Sequence, residues 1–139
     1  MFPKEARQAI LDEFMRYAGV QMALVMANPA PADDDMTLAD LDAVEADYAG
    51  YARQNIPDPG ASTIDGLDQA TDTTATMTFQ PVGLVSPQTI YGYYLTFESR
   101  NLATVELWQW VRLLTPVVLA TDASQFVRVI TIDVQTYNP

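Results

Sequence analysis

The chain contains no cysteine and no histidine. Without cysteine, no disulfide and no thiolate–metal site can form. Without histidine, the commonest general base and the commonest transition-metal ligand are missing. Cys–His and Ser–His–Asp nucleophilic chemistry are therefore excluded. Lysine is scarce too: Lys4 stands alone beside six arginines, in a chain of net charge −11. Such a balance excludes nucleic-acid binding through a basic patch and implies repulsion from anionic membranes. Long apolar runs are also lacking. The longest, Met22–Ala27, is far short of a membrane span. The N-terminus has no basic region followed by a long apolar run, so no secretory signal is expected.

At 139 residues the chain is long enough to close one core without staples. Its charge is lopsided. Residues 1–72 carry 14 acids against four bases, and residues 73–139 carry four acids against three bases. The second half is nearly neutral and rich in large apolar side chains, a composition suited to core and interface. The acidic first half is suited to exposure.

Pro3–Ala18 reads as a helix, with Ala6, Ile10, Phe14 and Tyr17 on one stripe, Leu11 and Met15 beside it, and Gly19 as its stop. Val20–Ala27, ended by Asn28–Pro29, reads as a short buried strand. Pro29–Asp35 is a loop by composition. Thr37 and Asp40 are spaced as a capping box with Asp in place of Glu. Tyr48–Ile56 is expected to be a strand in which Gly50 allows close backbone approach. Pro57–Asp72 is a long loop, with room for one short strand near Ser62–Ile64.

In the second half, Thr73–Gln80 alternates, with Ala75, Met77 and Phe79 on one face and Thr74, Thr76 and Thr78 on the other. Thr89–Phe97 is a strand with aromatics on both faces. Its expected partner is Val105–Leu113, with Val105, Leu107, Val111 and Leu113 facing inward and Glu106, Trp108, Trp110 and Arg112 facing the other way. Val117–Ala120 is a further apolar run. Gln125–Thr136 closes the chain, with Phe126, Ile130, Ile132 and Val134 mostly inward. Short strands spaced by turn signals predict a mainly β protein, an antiparallel β-sandwich or small jelly-roll-like barrel with an N-terminal α-helix. The expected division is a helix over 1–19 and a single β-sandwich domain over 20–139.

Asp33, Asp34 and Asp35, or Asp65, Asp68 and Asp72, supply the hard oxygens that calcium requires. Neither set has the ligand spacing of a calcium loop, so both read as solvated acidic loops. Serine nucleophiles have no base within reach of the pattern, and no glycine-rich phosphate loop occurs. No catalytic residue, cofactor or metal is expected, and the chain does not read as an enzyme. The tryptophans are more informative. Two exposed tryptophans on one strand face would form a costly apolar patch, which the chain's own elements or another subunit must cover. Aromatics and Arg anchor interfaces. Trp108, Trp110, Tyr91, Tyr93 and Arg112 are thus the candidate contact residues.

The order of these segments resembles small virion structural proteins of tailed bacteriophages and prophages. It is carried by Asn28–Pro29 and a Pro/Asp loop, then Thr37-Leu38-Ala39-Asp40-Leu41 and Tyr48-Ala49-Gly50-Tyr51-Ala52-Arg53-Gln54. A threonine-rich strand ending in Phe79, Thr89-Ile90-Tyr91-Gly92-Tyr93-Tyr94-Leu95, a Trp-containing strand and a closing strand complete it. The resemblance spans residues 20–134 and implies a β-rich virion subunit that works by assembly. The expected role is a capsid decoration or cement protein that contacts the major capsid protein and further copies of itself as a homo-oligomer. The alternative is a tail or fibre-tip subunit that recognises a host glycan.

Overall fold

Asn28–Pro29 and Gly19 do stop the segments they flank, and what lies between them is the first strand of a sheet. In the computed structural model of the protein, residues 3–17, 19–57, 62–64, 70–98 and 104–134 are described. Helix α1 spans Lys4–Tyr17 and is followed by strand β1 at Gln21–Val25. A 3-10 turn at Asp33–Asp35 leads to helix α2 at Leu38–Asp42. The remaining strands are β2 (Gln54–Asn55), β3 (Thr63–Ile64), β4 (Ala70–Phe79), β5 (Gln88–Glu98), β6 (Val105–Leu119) and β7 (Phe126–Val134).

The strands form two antiparallel sheets, ordered β2-β1-β5-β6 and β3-β4-β7. The chain is a small β-sandwich and not a closed barrel, because β6 and β7 each end a sheet. The core between the sheets takes alternate residues from each. Met22, Leu24, Ile90, Leu95 and Leu119 come from the first sheet, and Met77, Phe79, Phe126 and Ile130 from the second. Phe79 and Phe126 meet edge to face at 6.4 Å, and Tyr93 meets Phe126 at 6.3 Å. This is the offset geometry that aromatic quadrupoles favour. Helix α1 adds Leu11 to the same core. Its buried stripe is Arg7 and Leu11, one position round from the expected one, and Ile10 is exposed. The side chains of Phe14, Met15 and Tyr17 lie outside the described residues, as do those of Ala75, Ile132 and Val134.

The first sheet is covered on its other face as well. Ala23, Val25 and Tyr94 form a second cluster with Leu41, against which Met36, Leu38, Val44, Leu107 and Trp110 pack. The cover is α2 and its approach. Thr37 caps α2 as its spacing predicts, accepting the Asp40 N–H at 3.3 Å while Asp40 Oδ2 accepts the Thr37 N–H at 3.0 Å. Caps of this kind stabilise a helix by about 1 kcal/mol.

Three expectations are corrected. Tyr48–Arg53 is not a strand. The Tyr51 N–H bonds the Tyr48 carbonyl at 3.0 Å in a turn, and Gly50 takes φ +83°, a left-handed conformation that glycine adopts without strain. Only Gln54–Asn55 pairs. Val105–Leu113 and Val117–Ala120 are not separate. They run into one edge strand, which bulges between Arg112 and Val117, and Pro116 is tolerated there as at other edges and bulges. Nor do the tryptophans share a face. Leu95 pairs with Gln109 but Thr96 pairs with Leu107, so Trp108 is an extra residue that shifts the alternation. Trp110 then packs on the second cluster, while Trp108 packs on Phe97, which belongs to the first.

Candidate functional site

The outer face of the first sheet gathers most of the polar chemistry of the described residues, and its arrangement is that of two latches. The first centres on Arg53, which follows the 48–51 turn. Its Nε donates to Glu45 Oε1 at 2.7 Å, and its Nη2 donates to Glu45 Oε2 at 2.7 Å and to Asp42 Oδ1 at 2.9 Å. Tyr94, rising from β5, donates to Asp42 Oδ1 at 2.8 Å and accepts from Arg53 at 3.2 Å. Tyr51 donates to Glu45 Oε1 at 2.8 Å and accepts the Leu24 N–H at 3.2 Å. Two carboxylates, one guanidinium and two phenols thus tie the end of α2 to β1 and β5.

Each titration shift follows from this geometry. Burial raises the Glu45 carboxyl, but the bonds from Arg53 and Tyr51 outweigh it and leave the group below its ordinary range. Burial, and in Tyr94 the Asp42 bond, push Tyr51 and Tyr94 well above the ordinary phenol range. Burial alone pushes Tyr48 up to about 12. The shifts of Glu45 downward and of Tyr51, Tyr94 and Arg53 upward all favour the ion pair and its phenol donors as they stand.

The second latch pins the Pro/Asp loop onto β6. Trp110 Nε1 donates to Asp33 Oδ1 at 2.9 Å, and Arg112 Nε donates to the same oxygen at 2.8 Å. Arg112 also reaches the Asn28 side chain and the carbonyls of Pro29 (3.4 Å) and Pro31 (3.2 Å). Its guanidinium lies 5.6 Å from the centre of the Trp110 ring. The Trp110 bond, then the Arg112 bond, hold the Asp33 carboxyl below its usual range. A loop with two prolines and three acids buries little by itself, so these bonds fix its path. A fourth carboxylate, Asp122, accepts the Leu84 N–H at 2.8 Å and the Gly83 N–H at 2.9 Å, joining two turns at one end of the sandwich.

The five candidate contact residues therefore divide. Trp110 and Arg112 are engaged by their own chain. Tyr93 is half-buried against Phe126, and Tyr91 is half-buried. Trp108 keeps 37% of its surface exposed beside Phe97, at 5.8 Å and 89° between planes. Sequence reasoning missed Arg53, Glu45 and Asp42, because the sequence carries no sign that a turn arginine will meet a helix end. It also missed the exposure of Leu114 and Val118 on β6, for which Pro116 was the available signal of an edge strand.

Among the described residues, no three His, Cys, Asp or Glu side chains are grouped to hold a metal ion. Asp33 of the first acidic trio is held by Trp110 and Arg112. The side chains of Asp65, Asp68 and Asp72 lie outside the described residues. No described helix is long and apolar enough to cross a membrane. No protein-family model, curated protein or solved structure matches the chain.

Several of the exposed large apolar side chains lie along strands β6 and β7. Val105, Trp108, Leu114 and Val118 are exposed along β6, and Leu114 is fully so. On the outer face of the second sheet, exposed Val127 and Val129 stand opposite Thr78 and Thr76.

Proposed function

We propose that this chain is a structural subunit of a bacteriophage virion, a decoration or cement protein that binds the major capsid protein and further copies of itself. The observation that carries this reading is the row of exposed apolar side chains along edge strand β6, from Val105 and Trp108 to Leu114 and Val118. An unpaired strand edge bearing large apolar groups is a template for association unless something covers it. The polar constellations offer no competing chemistry. Their carboxylates and guanidinia are committed to holding α2 and the Pro/Asp loop in place. The acidic first half suits the solvent side of a particle, where like charge keeps particles apart. The order of motifs from Asn28–Pro29 to the closing strand adds the virion context.

The test uses the full chain in gel filtration with light scattering, and in co-sedimentation with capsids. The expected result is self-association and capsid binding, both weakened at least about tenfold by Leu114→Asp combined with Val118→Asp. Both side chains are exposed, so the substitutions leave the core intact. A stable monomer that ignores capsids overturns the reading, and so does a double variant that assembles like the parent. Binding to tails and not to capsids would move the subunit to the tail or fibre.

A further inference from the structure

We infer that the free edge of strand β7 docks an extended segment of a partner protein, one that carries apolar side chains at alternate positions and a carboxylate among them. The site lies on the second sheet, apart from the β6 row, and does not rest on the assembly reading.

Among the described residues the first sheet has four strands and the second three. Contacts across the core align the two. Tyr93 of β5 meets Phe126 of β7 at 6.3 Å, and Gln54 of β2 donates to the carbonyl of Thr78 in β4 at 2.5 Å. β7 thus lies opposite β5, with β4 on its β2 side, and β6 projects beyond β7. The inner face of that overhang carries Val111, which pairs with Tyr93, and Leu113, both half-buried. A single strand added to β7 would lie opposite them and bring the second sheet to the width of the first. A folded second copy does not fit the same place, because its own β5 covers its β7 and would meet the overhanging β6. The geometry therefore selects an extended arm.

The backbone of β7 suits such an arm. β6, the other long edge, is interrupted by the extra residue at Trp108, by a second bulge and by Pro116, so it offers side chains more than a ladder. β7 contains no glycine or proline, and the register shift in its pairing with β4 falls on the β4 side. Thr78 stands opposite Val127 but gives its carbonyl to Gln54, and the Val127 carbonyl accepts from Arg128 Nη1 at 2.8 Å. Ladder bonds alternate in an antiparallel pair, so the N–H groups of Val127 and Val129 face the free edge and that of Arg128 faces β4.

Arg128 supplies the selectivity. It alternates with exposed Val127 and Val129, on the side of buried Phe126 and Ile130. Its guanidinium lies 4.6 Å from the centre of the Phe126 ring. Burial pushes the Tyr93 phenol up and the Arg128 charge partly offsets it, which places the cation between the sheets. Among the described residues Arg128 pairs with no carboxylate, although the chain carries 18 acids. An inward charge at an edge bars a wholly apolar strand and a second β7 alike. A carboxylate on the incoming strand removes that bar. The strand's N–H takes the Val127 carbonyl, and the guanidinium turns to the carboxylate.

The probe is a synthetic nonapeptide that alternates valine and threonine around a central glutamate, with the same peptide carrying lysine there as its control. Each is titrated into the ¹⁵N-labelled full chain, and amide hydrogen exchange is read by NMR. The glutamate peptide is expected to slow exchange of the Val127 and Val129 amides at least about tenfold and to leave that of Arg128 unchanged. The lysine peptide should slow none of them. Arg128→Glu should reverse the preference between the two peptides. Val127→Pro removes an edge N–H that β4 does not use, and should abolish the slowing at Val129. It keeps the test standing if Arg128→Glu disturbs the packing on Phe126. Absence of slowing with the glutamate peptide overturns the proposal, as does equal slowing by the lysine peptide. Slowing that grows with protein concentration and needs no peptide assigns the edge to a second copy and overturns it too.

Discussion

Gly92→Ala is expected to cost at least about 3 kcal/mol, the upper end of what overpacking a core costs. Gly92 lies in β5 opposite Arg112, with Tyr94 and Trp110 paired next to it. A Cβ built there meets Trp110 Cη2 at 2.4 Å, Trp110 Cζ3 at 2.7 Å and the Val111 carbonyl oxygen at 2.4 Å. The indole could turn away, but only by leaving Asp33 and uncovering the second cluster. The Val111 oxygen is backbone in the β5–β6 ladder and cannot yield without breaking the pairing. Gly19 is the control. It has φ +59° but no atom within 4 Å of its would-be Cβ. Gly19→Ala should therefore cost only the backbone penalty of a left-handed residue, about 1 kcal/mol. Urea unfolding followed by tryptophan fluorescence measures both. Equal, small losses in the two variants would show that Gly92 does not seat Trp110.

Arg53→Met is expected to destabilise the chain by about 2–3 kcal/mol, because it strands Glu45 and Asp42 beside Tyr51 and Tyr94 without their cation. Glu45 is the more enclosed of the two carboxylates. For a chain of this length such a loss lowers the melting temperature by roughly 6–10 °C. Removing both partners, as Arg53→Met with Glu45→Gln, should be less costly than removing Arg53 alone, since no unpaired charge is then left behind.

The pH dependence carries a sign. In the folded wild type Glu45 is held below its ordinary range, so its contribution is present at neutral pH. That contribution is lost as pH falls through the lowered value. Without Arg53, the raising effect of burial dominates, and ionised Glu45 becomes the disfavoured form. The acid slope of stability should therefore flatten or reverse in Arg53→Met. Thermal melts from neutral to acid pH decide the matter, and a slope identical to wild type would place the stabilisation elsewhere.

The strands and the sandwich were legible because their signals are local. Thr76–Phe79 alternates and the structure buries Met77 and Phe79, and Phe126 and Ile130 turn inward as their spacing predicts. The capping box at Thr37 was legible for the same reason, since both partners lie within one turn. What was not legible depends on registers set far away. The extra residue at Trp108 follows from how β6 meets β5, and no pattern within β6 alone reveals it. With the alternation unbroken, Trp108 and Trp110 would have shared a face. With the bulge, one seats the Pro/Asp loop and the other stays half-exposed. The Arg53 latch was illegible because its partners come from β5, a helix end and a turn. The Tyr48–Tyr51 segment has strand composition, but the bond between its ends and the positive φ of Gly50 make it a turn.

The two sheets also differ in when they can form. Glu98 pairs with Val105, close by in the sequence, so the β5–β6 pairing needs little loop closure. Phe79 meets Phe126 only after the chain has passed through all of β5 and β6. The entropy of that closure delays the second sheet until the first hairpin has drawn its ends together. In a pulsed hydrogen-exchange experiment, amides of Tyr93–Leu95 should gain protection before those of Met77–Phe79, and the reverse order would refute this sequence of events. During the interval β4 and β7 stand unpaired, threonine-rich and valine-rich, with their partners still out of reach. These two strands are then the segments most exposed to mispairing between nascent copies.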